Sequence, residues 1–437
     1  MTFIYSAVLA LALVLTLPYW ALQMLRRRKY RAGLLERLGR VPARLLARHG
    51  EPSIWVHAVS VGELLAVSSI IFELRKRFPS HRVVVSTTTA TGQKLARERF
   101  GEENVFFFPL DFAYALRPYF DALRPALIVV AETELWPNFF RLARARGVKL
   151  AVINARISDR SFPRYRIVAH WLSPVLDNVD LFLAQGCEDA GRLVAIGASS
   201  DRVEAVGNLK FDIPAVSGTA LVAQLQRALA GPMIVCGSTV EGEEPVILSA
   251  FEVVHRECPA CVLLLAPRHP ERFAGVVETV QSFASRNSVS FSRRSQWDGQ
   301  PFGGGIFLLD TIGELAAVYA LATIAFVGGS LVPRGGHNIL EAARFGVPIV
   351  VGPHNENFRD IIDLFRRAGA VTVLGPEALP SELLSLMRDP ERRRELGARA
   401  QATWRQNSGA TARTLERVED LMARPALAAV PPRKESA

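Results

Sequence analysis

The sequence predicts an α/β protein of two doubly wound domains, each built on a parallel sheet. Two observations carry this. Short apolar runs alternate with helical patterns along almost the whole chain, as strands and helices do in βαβ units. The alternation also runs twice, restarting near residue 232 after a stretch that holds Pro214 and Gly218. The chain has 437 residues, 49% of them hydrophobic, which is enough for two sizeable cores. Ligands of doubly wound sheets gather beyond the carboxyl ends of the strands. Chemistry is therefore expected in the loops that follow strands, facing a cleft between the domains.

Residues 1–25 predict a membrane anchor. Phe3 to Leu25 carry no charge, and a helix over that stretch, at about 1.5 Å per residue, reaches across a bilayer core of about 30 Å. Pro18 kinks such a helix without forbidding it. Arg26, Arg27, Arg28, Lys29 and Arg31 follow at once, and the positive-inside rule puts that end in the cytoplasm. Charge after the apolar stretch, not before it, reads as an uncleaved anchor and not a cleaved signal. A buried helix, or one lying in the membrane interface, is the alternative. The basic run continues through Arg37, Arg40 and Arg44 and suits an anionic membrane surface. The formal charge of +10 and the pI of about 9.8 agree with an anionic partner. Nucleic acid is the weaker one, since the basic cluster abuts the apolar stretch and lacks interleaved aromatics.

The first domain, 26–212, reads as seven strands: 54–59, 83–86, 105–109, 127–131, 150–154, 181–184 and 203–206. Helical patterns cover 63–78, 91–100, 113–123 and 138–146 between them. The second domain, 213–424, reads as strands at 233–236, 262–266, 289–291, 306–309, 324–327, 349–351 and 371–374. One long helix, Arg392 to Met422, closes it, and the Pro/Ala-rich tail 425–437 reads as disordered.

The loops after these strands are unusually polar. His57-Ala-Val-Ser60-Val-Gly62-Glu63 closes the first strand and opens the first helix. Glu63 there is either a general base for a hydroxyl or an ordinary first-turn glutamate in a Ser60–Glu63 capping box. A helix N-terminus favours its charged form. Glu132-Thr-Glu134-Leu-Trp136-Pro137 closes the fourth strand, and its carboxylates suit positive charge developing on a sugar ring. Arg156 and Lys210 follow two further strands and can meet a carboxylate or phosphate. In the second half, Gly237-Ser-Thr239 through Glu244, Pro267-Arg268-His269, Ile312-Gly313-Glu314 and the run from Gly328 to Glu341 share one predicted sheet edge. The last of these turns through Gly328, Gly329, Gly335 and Gly336 and enters a helical pattern at about Asn338. Close-approaching backbone and a helix N-terminus suit a phosphate, and Glu341 one turn in suits sugar hydroxyls. A nucleotide-sugar site is the reading that uses all four loops.

Some chemistry is disfavoured. Cys258-Pro-Ala-Cys261 has no second pair to complete a zinc site, and the four cysteines suggest no disulfide framework. No G-x-G-x-x-G, P-loop, H-E-x-x-H or D-x-D triplet occurs. No metal and no cofactor are expected.

Taken together, His57 to Glu63, Glu132 to Pro137, Asn154 to Arg156, Asn208 to Asp212, Glu241 to Glu244, Pro267 to Arg272 and Gly328 to Glu341 resemble the 3-deoxy-D-manno-octulosonic acid (Kdo) transferases of lipopolysaccharide synthesis. The motifs stand in the family's order and the resemblance runs to about residue 410. It implies a GT-B glycosyltransferase with two Rossmann-like domains, held on the cytoplasmic face of the inner membrane by the N-terminal anchor. The implied donor is CMP-Kdo and the implied acceptor a lipid A precursor, lipid IVA, with inversion at the transferred sugar. The resemblance makes Glu63 the general base and assigns Glu132 and Lys210 to transition-state stabilisation. It places CMP at Pro267 and Arg268, at Ile312, Gly313 and Glu314, and at Asn338, Ile339, Leu340 and Glu341. The competing readings are another GT-B enzyme, such as a nucleotide-sugar epimerase or a transferase using a UDP-sugar, and a membrane-anchored binding protein without catalysis.

Overall fold

The computed structural model describes residues 2–27, 33–46, 50–213 and 220–424, with side chains of the N-terminal helix described over 5–19. Arg28, Lys29 and Arg31 of the basic run, Pro214 and Gly218 before the second alternation, and the predicted disordered tail lie outside the described residues. The chain divides into two compact units. One is formed by residues up to Asp212 together with those from Ser408 onward, the other by Ile213–Asn407.

Unit 1 is a seven-stranded sheet of β1 (Ser53–His57), β2 (Arg82–Thr87), β3 (Val105–Phe107), β4 (Pro125–Ala131), β5 (Lys149–Ala155), β6 (Leu181–Ala184) and β7 (Val203–Ala205). Its order is β3-β2-β1-β4-β5-β6-β7, and every pairing is parallel. The order reverses at β1 and β4, where His57 pairs with Val130, and this is where the polar loops meet. Side chains alternate between the two faces. Trp55, Val84, Phe106, Ile128 and Val130 build one core. Ile54, Val56, Val83, Val85, Leu127 and Val129 build the other. Both faces are covered, so the strands read as near-continuous apolar runs.

The helix Val61–Arg77 closes the second face with Leu64, Val67, Ile71 and Leu74. Beside it lie Leu415, Val418 and Leu421 of the helix Ala410–Ala423. This corrects two expectations. The single helix predicted over Arg392–Met422 is broken into Pro390–Asn407 and Ala410–Ala423, with Gly409 at φ 88° between them. The second piece belongs to unit 1, not to the 213–424 domain. Asp212 is the cause: its Oδ1 accepts from Gly409 N at 2.6 Å and its Oδ2 accepts from Thr411 N, capping the returning helix.

Unit 2 repeats the plan with β8 (Met233–Thr239), β9 (Val262–Pro267), β10 (Phe291–Arg293), β11 (Gly305–Leu308), β12 (Ile324–Val327), β13 (Ile349–Val351) and β14 (Thr372–Val373). The order is β10-β11-β9-β8-β12-β13-β14, again wholly parallel. The third strand begins two residues later than predicted. Val289 N still bonds to Ala284 O and so finishes the helix Phe273–Asn287 before the chain extends.

A helix forms over Thr2–Arg27, but the expected spanning anchor is not found: among the described residues no helix is long and apolar enough to cross a membrane. The helix is tied to unit 1 near its start. Ser6 Oγ accepts from Asn138 Nδ2 at 3.0 Å, and Tyr5 donates to the Asp111 carboxylate. Its described outer face shows Val8, Leu11, Val14, Leu15, Leu17 and Tyr19 to solvent.

Candidate active site

At the carboxyl edge of the first sheet, Ser60 caps the helix that starts at Val61, its Oγ accepting from Glu63 N at a long 3.4 Å. The Glu63 carboxylate turns back over the cap. Oε2 accepts from Val59 N at 2.7 Å and Oε1 from Ser60 Oγ at 2.7 Å. The expected capping box is altered, since the carboxylate takes Val59 N and the Ser60 hydroxyl and not Ser60 N, and the balance of charge is opposite to the expectation for a helix N-terminus. Glu63 is only 8% exposed. Burial, which outweighs those hydrogen bonds, together with the nearby Glu132 and Glu134 carboxylates, pushes its pKa up to about 7. Such a group exchanges a proton readily near neutral pH.

Several residues of this edge are held in place by their neighbours. His57 is fully buried, stacks on Phe108 at 4.0 Å between ring centroids and sets Nδ1 2.9 Å from Ser86 Oγ. Burial lowers its pKa to about 3, so it stays neutral near pH 7. Glu132 stands immediately after β4 with φ 56°, a left-handed backbone that few non-glycine residues adopt. Its N–H donates to Ile153 O at 2.9 Å. Asn154 in β5 shares that conformation at φ 54° and accepts from Leu209 N at 3.0 Å through Oδ1. Two strained residues at adjacent strand ends mark an edge shaped for more than stability. Thr133 clamps the two loops, accepting from Arg156 N at 2.9 Å and donating to Arg156 O at 2.6 Å. Lys210 lies half-buried in the short turn Leu209–Phe211, which packs on the helix bearing Glu63.

The carboxyl edge of the second sheet is organised by Glu243. This fully buried carboxylate accepts four backbone N–H groups. Val240 and Gly329 donate to Oε2 at 3.0 and 2.7 Å, and Ser330 and Leu331 donate to Oε1 at 2.9 Å each. A Cβ on Gly328 would sit 2.8 Å from Oε2, so only glycine fits there. The glycine-rich loop after β12 is thus wrapped on a side chain from the loop after β8. Ser238 beside it has φ 57° at a register shift between β8 and β9. Arg268, exposed just beyond β9, is electrostatically coupled to both His337 and Glu341. His337 is held neutral, its pKa lowered to about 4 by burial and then by Arg268 and His269. Burial raises the pKa of Glu341 while Arg268 opposes the rise.

Nearly the whole chain is matched by known transferases. It is 35% identical to the 3-deoxy-D-manno-octulosonic acid transferase of Bordetella pertussis over 422 residues, 92% of this chain and 96% of that one. It is 30% identical to the enzyme of the same name from Haemophilus influenzae over 434 residues, 97% and 99% of the two chains. The chain belongs to the Kdo transferase family of lipopolysaccharide biosynthesis. The family model for 3-deoxy-D-manno-octulosonic-acid transferase covers residues 32–213 of this transferase. Its fold is similar to that of the UDP-GlcNAc 2-epimerase from Neisseria meningitidis bound to UDP-GlcNAc, with a TM-score of 0.54 and 13% identity over 84% of this chain and 100% of that one.

Of the expected site residues, the transferase brings Glu63 and Glu132 to one edge together with Glu134, and Arg268 and Glu341 to another. Others offer backbone alone, since Pro267, Ile339 and Leu340 are buried. Glu314 is already engaged by Arg294 Nη2 at 3.1 Å and by the Thr311 hydroxyl, leaving exposed Ile312 and Gly313 as the open part of that loop. Asn338 Oδ1 accepts from Leu340 N at 3.1 Å, and the helix expected from Asn338 is a single turn, Leu340–Ala343. A single turn contributes little helix dipole to that edge. Sequence reasoning missed Glu243. A glutamate followed by another at a strand end reads as surface charge unless its burial is known.

Proposed function

We propose that the chain is an inverting transferase that moves Kdo from CMP-Kdo to a lipid A precursor, lipid IVA. The observation that carries this is Glu63, a carboxylate poised near neutral pH at the carboxyl end of β1 with both oxygens oriented by Val59 and Ser60. It takes the proton of an acceptor hydroxyl as that oxygen forms its bond to the anomeric carbon of Kdo. The bond from that carbon to the CMP phosphate oxygen breaks on the opposite face, and the configuration inverts. Glu132 and Lys210 stabilise charge on the transferring sugar and its leaving group. Unit 2 holds CMP through Pro267 and Arg268, the Ile312–Glu314 loop and the Asn338–Glu341 stretch, with Arg268 supplying positive charge to the phosphate. The reaction requires no metal.

We place the enzyme at the cytoplasmic face of the inner membrane, where such an acceptor resides. The apolar residues that the N-terminal helix shows to solvent support attachment there.

The test is turnover by detergent-purified protein given CMP-Kdo and lipid IVA in the presence of EDTA, read by mass spectrometry beside Glu63→Gln. Kdo-bearing lipid from wild type, with a loss of about 100-fold or more in the variant, is the expected result. No product from folded wild type refutes the metal-free Kdo assignment, and equal product from both proteins removes Glu63 as the base.

A further inference from the structure

The loop after β11, which carries Ile312 and Gly313, is clamped from the edge of its sheet. The edge strand β10 is only three residues long, Phe291–Arg293, and Arg294 and Ser295 follow it. Two adjacent arginines at the end of an edge strand are ordinarily solvated cations on opposite faces. Here both turn onto one loop and take its two ends. At the near end Asp310 is buried. Its Oδ2 accepts from Arg293 Nε at 3.1 Å, Arg293 Nη2 at 2.9 Å and Ser295 Oγ at 2.6 Å, and its Oδ1 from Ser295 N at 2.8 Å. Burial raises the Asp310 pKa, but the bonds from Ser295 and Arg293 outweigh it and hold the carboxyl below its ordinary value. At the far end Arg294 sets Nε 3.2 and 3.3 Å from the two Glu314 oxygens and Nη2 3.1 Å from Oε1. Arg294 N also donates to Leu308 O at 2.9 Å, which ties its own backbone to β11.

Between these anchors the loop is open. Ile312 is 66% exposed. Gly313 has φ 92° and nothing within 4 Å of where a Cβ would stand, so the glycine serves the left-handed backbone and not a close neighbour. An exposed apolar side chain beside open backbone suits the flat face and polar edge of a nucleobase better than it suits a phosphate. The phosphate has its cation in Arg268, beyond β9, and β9 lies next to β11 in the sheet. A nucleotide with its phosphate at Arg268 turns its base towards β11. A free carboxylate at Glu314 would repel such a ligand. Arg294 cancels that charge and fixes the turn with the same planar fork.

We propose that Arg294 is a positioning residue that sets base specificity: through Glu314 it fixes the Ile312–Gly313 backbone as the seat of a pyrimidine base. This rests on the reading of unit 2 as the CMP site. The Arg294–Glu314 pair is partly exposed, at 26% and 20% of the two side chains. Pairs of that kind stabilise a fold little, so its loss is felt in donor binding and not in folding.

The experiment is calorimetric titration of the full chain in detergent with CMP and with UMP, beside initial rates of transfer from CMP-Kdo. Arg294→Ala is expected to weaken CMP binding about tenfold or more and to bring the CMP and UMP affinities several-fold closer. KM for CMP-Kdo rises by a comparable factor while kcat stays within about twofold. Arg294→Lys keeps the charge without the fork, and is expected to recover part of the affinity but not the preference for CMP. Adding Glu314→Gln to Arg294→Ala removes the uncancelled charge and is expected to recover affinity several-fold, again without the preference. Arg388→Ala breaks an exposed pair with Glu257 in the same unit and is expected to change none of these values. An unmoved thermal midpoint separates lost binding from unfolding, and Arg294→Lys reads the same preference if the alanine variant does not fold. An unchanged CMP-to-UMP ratio in folded Arg294 variants overturns the proposal and leaves the CMP reading standing, as does a fall in kcat with KM unchanged. Wild type that binds neither nucleotide removes the CMP reading and the proposal together.

Discussion

Ser60→Ala tests the base through its ionisation. Ser60 Oγ donates to Glu63 Oε1 at 2.7 Å, and this bond favours the carboxylate against a burial that disfavours it. A hydrogen bond to a charged group contributes roughly 1.5–3 kcal/mol, which at about 1.4 kcal/mol per unit moves a pKa by about 1–2 units. Losing it raises the Glu63 pKa further, from about 7 towards roughly 8–9. The carboxylate is the active form, so at pH 7 the ionised fraction falls from about a half to roughly a tenth or less. Transfer then slows about 5- to 50-fold at pH 7 and recovers to within about twofold near pH 9.5. The hydroxyl is also the helix cap, but its bond from Glu63 N is long at 3.4 Å, so the stability cost sits at the low end of about 0.5–2 kcal/mol and is independent of pH. The assay is kcat/KM against pH from about 6 to 9.5, whose midpoint reports the base in the free enzyme. Ser60→Thr, which keeps the hydroxyl, restores the wild-type midpoint. The same fractional loss at every pH, or a midpoint moved downward, refutes the reasoning.

Glu63→Gln removes a group whose folded pKa lies above its unfolded value. The folded protein holds that proton between about 4.5 and about 7 when the unfolded chain has lost it, so wild type loses stability as pH rises through that window. Relative to wild type, the variant gains on the order of 2–3 kcal/mol between pH 4 and 8, read by urea unfolding at both values. Glu243→Gln turns an amide towards backbone N–H groups that need an acceptor. Losing two charge-assisted bonds costs about 3 kcal/mol or more of stability, and the loosened glycine loop raises KM for CMP-Kdo more than it lowers kcat. Arg268→Ala raises KM for CMP-Kdo at least tenfold with little change in the thermal midpoint, measured by initial rates and calorimetry. Asp212→Ala uncaps the helix Ala410–Ala423 at a cost of about 1–2 kcal/mol in urea unfolding, with transfer retained under native conditions.

The strands were legible because both faces of each sheet are covered. Runs such as Leu127–Ala131 and Ile324–Val327 need no alternation, and polar residues begin where burial ends. The site loops were legible for the same reason, as polar clusters closing apolar runs. What escaped depends on distant partners. The stretch from Arg392 to Met422 had read as one helix, but Gly409 turns left-handed and the Asp212 carboxylate, far back in the sequence, caps the piece that returns to unit 1. The Glu63 pKa is set by burial and by carboxylates from another strand end, neither of which local capping rules register. The role of Glu243 follows from four amides, three of them nearly ninety residues away, in a loop whose glycines had suggested only contact with a ligand.

The return of the last helix to unit 1 has a consequence for biogenesis. A chain growing on the ribosome exposes β1 to β7 early, yet Leu415, Val418 and Leu421, which complete one face of that sheet, are made only after the whole of unit 2. Unit 2 is contiguous, from Ile213 to Asn407, and can close while synthesis of the final segment is still under way. The half that is translated first therefore finishes folding second, with Ile54, Val67 and Ile71 less protected until Leu415, Val418 and Leu421 arrive. A stop codon shortly before Ala410 leaves unit 2 whole and strips a wall from unit 1. The mark of such truncated chains is chaperone retention or proteolysis of the amino-terminal half.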